Sequence, residues 1–260
     1  MKIYYRISNN GYLKPKLPYC DKQFCLNNFL KCFDKEDVTI IADNCNEETL
    51  KFIESTKKLY LQSNEGNAGS FRFALDLTWG LKKNDIIYFV EDDYIHNVNF
   101  SLPEIIKEGL EIADYVTLYD HPDKYSSLYN YGETSKVVRT NNSHWKYSTS
   151  TTMTFATTKE VLERDYEIIQ KHIKDVHPND HEMFLELNKK LAVTIPGMAY
   201  HIDLSISNLV NPNHLIEKWV LDYIDKDIES NFSEETLKQF ENWTGIQKLT
   251  IFEMKKQGAF

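Results

Sequence analysis

The chain has 260 residues, 42% hydrophobic and 13% aromatic, with 9 Gly, 7 Pro and 4 Cys. That fits one α/β domain with an appendage, or two small domains, and excludes collagen-like, linker-dominated and disulfide-scaffold material. The 30 basic and 39 acidic residues give a net charge of −9, and no run of Lys or Arg exceeds two, which argues against a binder of the nucleic-acid backbone.

An acidic chain that takes an anionic ligand must neutralise it locally, by a metal, a helix N-terminus or a few placed Arg and Lys. The opening residues lack the basic and apolar regions of a leader. The longest apolar run, Ile86 to Val90, is far short of the ~20 residues that span a bilayer, so no transmembrane segment is expected. Cys20, Cys25, Cys32 and Cys45 form no C-x-x-C pair, which argues against zinc, and a reducing cytoplasm is the simplest setting expected for them.

Lys2 to Ser8 (KIYYRIS) reads as a strand. Lys22 to Phe33 carries Phe24, Leu26, Phe29, Leu30 and Phe33 at helical spacing. Val38 to Asp43 (VTIIAD) has the apolar run of a buried strand. Asn46 is placed to cap a helix over Glu47 to Ser55, whose first turn is acidic. Lys58 to Gln62 reads as a third strand. Ala68 to Lys82 reads as a helix with Phe71, Ala74, Leu75, Thr78 and Trp79 on one stripe. The apolar strand Ile86 to Val90 runs into Glu91-Asp92-Asp93. Pro103 opens a helix to about Ile112, and Tyr115 to Leu118 is a strand.

This alternation predicts an α/β fold with a Rossmann-like, mostly parallel sheet and helices on both faces. Residues 119–150 read as irregular and aromatic. Thr152 to Ala156 is a strand, Lys159 to His172 and Asp180 to Lys190 are helices, and Val193 to Ile195 and Met198 to Ile202 are short strands. After Asn211-Pro212 the pattern is helical, over about 213–228, 234–243 and 246–256.

The strongest motif is Glu91-Asp92-Asp93, because ligands of open α/β sheets sit outside the carboxyl ends of the strands. Three adjacent carboxylates repel one another unless a cation neutralises them, and hard oxygen ligands favour Mg²⁺ or Mn²⁺. The plain alternative is a solvated acidic turn. Asp43 ends the second strand at the same edge. There it either accepts from a ring N–H of a base or caps the following helix. Asn64-Glu-Gly-Asn-Ala-Gly69 followed by Arg72 is a Gly-containing loop opening a helix, a place where backbone N–H groups can meet phosphate. An ordinary turn with a surface Arg would read the same way.

In this order the motifs resemble the GT-A nucleotide-sugar glycosyltransferases, especially the family-2-like ones. Glu91 stands where that family's D-x-D motif has its first Asp, and of its A-R-N triplet only Arg72 is kept. The resemblance covers about residues 2–203. It implies a GT-A catalytic domain over 1–210, with a nucleotide-binding half at 1–118 and an acceptor half at 119–210, then a helical extension at 211–260. It also implies Mn²⁺ or Mg²⁺ held mainly by Asp93, Glu91 near the ribose or the metal, Asp43 at the base and Arg72 at the sugar or phosphates. Arg6 and Asp92 are placed with them on the donor side.

Two later features fit the resemblance. Asn179-Asp180 stands where such enzymes carry an E-D pair, making Asp180 the general base of an inverting transfer, with a helix cap as its plain alternative. His201 stands where they often supply a late metal ligand, against a structural His. His177 and His181 are four apart, but Pro178 holds His177 extended, which argues against a shared zinc site. Trp145, in a Tyr-, Asn- and Ser-rich stretch, is a candidate platform for a sugar acceptor, or a packing residue of its own region. The activity expected is sugar transfer from a nucleoside diphosphate sugar, UDP before GDP, to a hydroxyl or glycan acceptor. The alternatives are a sugar-phosphate nucleotidyltransferase and a non-catalytic nucleotide- or carbohydrate-binding module.

Overall fold

The computed structural model describes residues 1–10, 20–121, 136–149, 151–187 and 191–202. The expected helices at 213–228, 234–243 and 246–256, and with them the extension at 211–260, lie outside the described residues.

The first third of the chain follows its patterning closely. β1 (Lys2–Ser8), β2 (Asp37–Asp43), β3 (Leu59–Ser63) and β4 (Ile86–Glu91) alternate with α1 (Lys22–Cys32), α2 (Glu47–Ser55) and α3 (Gly66–Asp76). Asn46 caps α2, its side chain accepting from Thr49 N–H at 2.9 Å. α3 stops short of the expected Lys82. Beyond its end the Thr78 hydroxyl turns back onto the Leu75 carbonyl, a bond that competes with continued helix.

β5 (Tyr94–His96), α4 (Leu102–Leu110) and β6 (Tyr115–Thr117) follow. Then come β7 (Val138–Arg139), β8 (His144–Ser148) and β9 (Phe155–Thr158), of which β7 and β8 fall where irregular chain was expected. The helix expected over 159–172 is two, α5 (Lys159–Arg164) and α6 (Tyr166–His172). Asp165 lies between them, its carboxylate accepting from Tyr115 Oη at 2.9 Å and from Arg164 Nε at 2.9 Å. α7 (Asp180–Leu187), β10 (Leu191–Ile195) and β11 (Ala199–His201) complete the described chain.

Nine strands form one sheet in the order β3-β2-β1-β4-β9-β6-β10-β8-β7. Only β9 and β8 run against the rest, so the sheet is mostly parallel in direction but mixed in its pairs. Side chains alternate between the two faces of each strand. Ile3, Tyr5 and Ile7 therefore join α1, α2 and α4 on one face, while Tyr4 joins α3, α6 and α7 on the other. β2 and β4 split the same way: Ile40 and Tyr88 pack in the first cluster, Ile41 and Phe89 in the second.

Register is what makes a site of this sheet. Ser8 pairs with Asp43, Asp43 with Ser63, and Arg6 with Glu91, so the carboxyl ends of four parallel strands reach one edge together. A separate ribbon pairs β5 with β11 and sets His201 opposite Tyr94. No helix among the described residues is long and apolar enough to cross a membrane.

Candidate functional site

A groove of about 330 Å³ opens at this edge. Its floor carries Arg6 and Ser8 from β1, Asp43 from β2, and the Glu91-Asp92-Asp93 turn after β4. One wall is the start of α1 and α3, with Lys22, Asn67 and Ser70. The other carries Thr152, Met153, His177, Pro178, Asp180 and His201.

Each carboxylate of the turn meets a base supplied by the chain. Glu91 accepts from Arg6 Nη2 at 2.7 Å. Asp92 pairs with Lys22 Nζ and accepts from Ser8 N–H at 2.9 Å. Asp93 Oδ2 lies 3.0 Å from His201 Nε2. Burial raises the Glu91 carboxyl above its usual value, against the pull of Arg6 and with added repulsion from Asp93 and Asp92.

The Asp93–His201 pair joins residues 108 apart in sequence. The β5–β11 ribbon explains the meeting, because it begins one residue after Asp93 and pairs Tyr94 with His201. The pair suits a hard divalent ion. At 3.0 Å the two side chains are hydrogen-bonded to each other, and two cis ligands of an octahedral site with bonds of ~2.1 Å would stand about as far apart. Among the described residues no group of three or more His, Cys, Asp and Glu is arranged to hold a metal unaided. An ion held by this pair would need water or phosphate oxygens to complete its shell.

Asp180 is the first residue of α7 and lines the groove. The helical hydrogen bond from Met183 N–H goes back to the Asn179 carbonyl, so Asn179 occupies the cap position and Asp180 the first turn. His177 lies before α7, in the groove wall, and shares no helix face with His181.

Three expectations are corrected. Trp145 is fully buried on β8 and its Nε1 donates to Thr140 Oγ1 at 2.9 Å. It packs over Gly109, where an added Cβ would come 2.6 Å from the indole, and it is core rather than an acceptor platform. Arg72 does not line the groove; its guanidinium donates to the Ile173 carbonyl and ties α3 to the chain leading into α7. The Ala68 N–H to Val176 carbonyl bond, at 3.2 Å, makes a second tie between the same two segments.

Asp43 neither caps α2 nor offers open oxygens to a base. It is 2% exposed. One oxygen accepts from Ser63 Oγ at 2.8 Å and Glu65 N–H at 2.7 Å, the other from Asn44 Nδ2 at 2.8 Å and Gly66 N–H at 3.1 Å. It therefore fixes the loop that opens α3. Gly66, at φ +73°, takes the left-handed backbone that this loop needs.

Sequence reasoning missed Lys22, Asn67, Ser70, Thr152 and Met153, and weighed His177 only for zinc. Topology held a signal for the first three. A helix that follows a strand starts at that strand's carboxyl end, so the first turns of α1 and α3 had to face the site.

No family model and no curated protein matches the sequence. Among solved structures, S. aureus TarS aligns over 99% of this chain at 14% identity and a TM-score of 0.50. This chain spans 47% of that one, about half its length. S. aureus TarS 1–349 in complex with UDP aligns over 99% of this chain and 78% of its own, at 16% identity and a TM-score of 0.49. A CMP:2-keto-3-deoxy-manno-octonic acid synthetase complexed with CTP aligns over 85% and 98% of the two chains, at 10% identity and a TM-score of 0.48. At these identities the likeness is one of fold. The fold is GT-A-like, a mixed α/β architecture with a large, mostly parallel sheet.

Proposed function

We propose that the protein is a metal-dependent glycosyltransferase that moves a sugar from a nucleoside diphosphate sugar to a hydroxyl acceptor. The observation that carries this reading is the Asp93–His201 pair at ligand spacing in the same groove as Asp180. Asp93 and His201 would hold Mn²⁺ or Mg²⁺, which offsets the charge of the departing diphosphate when bound. Arg6 and the amino end of α3 form the donor side. Arg6 Nη1 donates to the Asn67 carbonyl at 2.8 Å and to Ser70 Oγ at 3.0 Å, which fixes the wall against which a donor would lie.

Asp180 takes the proton of the acceptor hydroxyl as that oxygen attacks the anomeric carbon, in an inverting displacement. With both Asp43 oxygens engaged by the loop, the expected preference for UDP loses its structural argument, and the base is open. The reading is tested by calorimetry with UDP-, GDP-, CMP- and dTDP-sugars, each with and without Mn²⁺, followed by assay of nucleotide release. Asp93→Ala is expected to remove metal-dependent donor binding, and because it also takes the partner from buried His201, a circular dichroism spectrum checks that the fold persists. A variant that keeps full metal-dependent affinity overturns the metal assignment. A wild-type protein that forms pyrophosphate from a nucleoside triphosphate and a sugar phosphate is a nucleotidyltransferase instead.

A further inference from the structure

The two permanent cations that offset the acidic turn are held very differently. Arg6 is 5% exposed and is tied to Glu91, Asn67 and Ser70 at once. Lys22 reaches Asp92 from the first turn of α1 with its side chain 25% exposed, and among the described residues its ammonium hydrogen-bonds only that carboxylate. Asp92 keeps the Ser8 N–H at 2.9 Å if the ammonium departs. Release therefore leaves neither a stranded cation nor a bare carboxylate.

We propose that Lys22 is an exchangeable phosphate ligand, which rests on Asp92 and passes to the diphosphate when donor and metal bind. The inference rests on the nucleotide-sugar reading above and deepens it. A lysine suits the role, because its ammonium is a compact charge on a flexible stem, whereas the Arg6 fork is fixed by its geometry. Ion and diphosphate then bind together rather than singly. An ion alone meets carboxylates whose charge Arg6 and Lys22 already offset. A diphosphate alone meets an acidic floor. Arriving together they neutralise one another, and Lys22 gains a phosphate oxygen for the carboxylate oxygen it gives up.

The test uses the full chain as wild type, Lys22→Met and Lys22→Arg. Mn²⁺ binding is read from the paramagnetic resonance of the unbound ion, and UDP binding in Mn²⁺ by calorimetry. In wild type, UDP is expected to tighten Mn²⁺ binding by at least about tenfold. Lys22→Met should weaken UDP by about ten- to a hundredfold, the scale of a hydrogen bond to a charged group. The same change should tighten Mn²⁺ a few-fold in the absence of nucleotide, since Asp92 loses the charge that offsets it. Lys22→Arg should recover most of the UDP affinity.

A lysine that only supports the fold would move both affinities in one direction or neither. Met is a good helix former, so α1 should persist, and an unchanged circular dichroism spectrum checks that it does. If wild type binds UDP with Mn²⁺ and Lys22→Met binds it equally well, the exchange is wrong and the transferase reading stands. If wild type binds none of UDP, GDP, CDP and dTDP, both fall.

Discussion

The half of the sheet built from β3, β2, β1 and β4 and the half built from β9, β6, β10, β8 and β7 meet at one groove but supply it differently. The first half is parallel throughout, with its strand ends in register. It contributes charged groups fixed by backbone position: Arg6, Asp43 and Glu91. The second half mixes strand directions and contributes from loops and a helix start: Thr152, Met153, His177 and Asp180. A charge-dense, internally braced floor suits a constant ligand such as a metal diphosphate. A wall made of loops suits the partner that varies, because loops change with little cost to the scaffold that carries them.

Asp180 puts the contrast under the greatest load. If the second half serves the acceptor alone, Asp180→Asn should leave nucleotide-sugar and Mn²⁺ affinities near wild type. Turnover should fall by a factor of ~10²–10⁴, the usual contribution of a positioned acid or base. Steady-state assays alongside calorimetry read both quantities. Lost donor affinity in this variant would erase the division between the halves. Wild-type turnover would move the proton transfer to another group.

Trp145 tests the second half as a structure. Its indole fills the space between β8 and Gly109 on α4. Trp145→Ala should cost about 3–5 kcal/mol in urea unfolding, the range for truncating a buried large aromatic. Donor affinity at a temperature where the variant stays folded should not change. A variant of wild-type stability that loses acceptor affinity would restore the indole to the site.

The contrast also explains what could be read in advance. β1, β2 and β4 of the first half are buried on both faces, so VTIIAD and IIYFV announce themselves without knowledge of their partners. Their terminal carboxylates follow from topology. β8 is the opposite case. In HWKYS only Trp145 and Ser148 are buried, and the segment is a strand because it pairs with β10, more than 40 residues later. Such pairing leaves little local trace. Contacts of side-chain ends leave less. The sequence places Arg72 near a phosphate loop, and only the folded chain shows it spent on the Ile173 carbonyl. Asp43 likewise stands where a base reader should stand, but four donors from its own neighbourhood occupy its oxygens. Asp93 and His201 were legible as single residues; the ribbon that joins them was not, because β5 is three residues long.

The core beneath the first half carries a pH-dependent effect. His96, on β5, is buried against the rings of Phe29 and Phe33 at 5.5 and 5.7 Å, with its Nε2 3.2 Å from Tyr88 Oη. Asn28 brackets its backbone, donating to the His96 carbonyl at 3.0 Å and accepting from its N–H at 2.6 Å. Burial pushes the imidazole down from 6.5 to about 3. Above pH 6.5 the ring is neutral folded and unfolded, and the shift costs nothing. As pH falls below 6.5 the unfolded chain takes up a proton that the folded chain refuses until about pH 3. The folded state therefore loses stability across that window, by up to ~1.4 kcal/mol per pH unit from this group. His96→Gln keeps a polar partner for Tyr88 and removes the titration. Urea unfolding at pH 7, 6, 5 and 4 should give a shallower acid slope for the variant than for wild type, with the difference confined to pH below about 6.5. Parallel curves would show that His96 takes its proton inside the folded core, and that this half of the molecule is less tightly closed over β5 than its packing indicates.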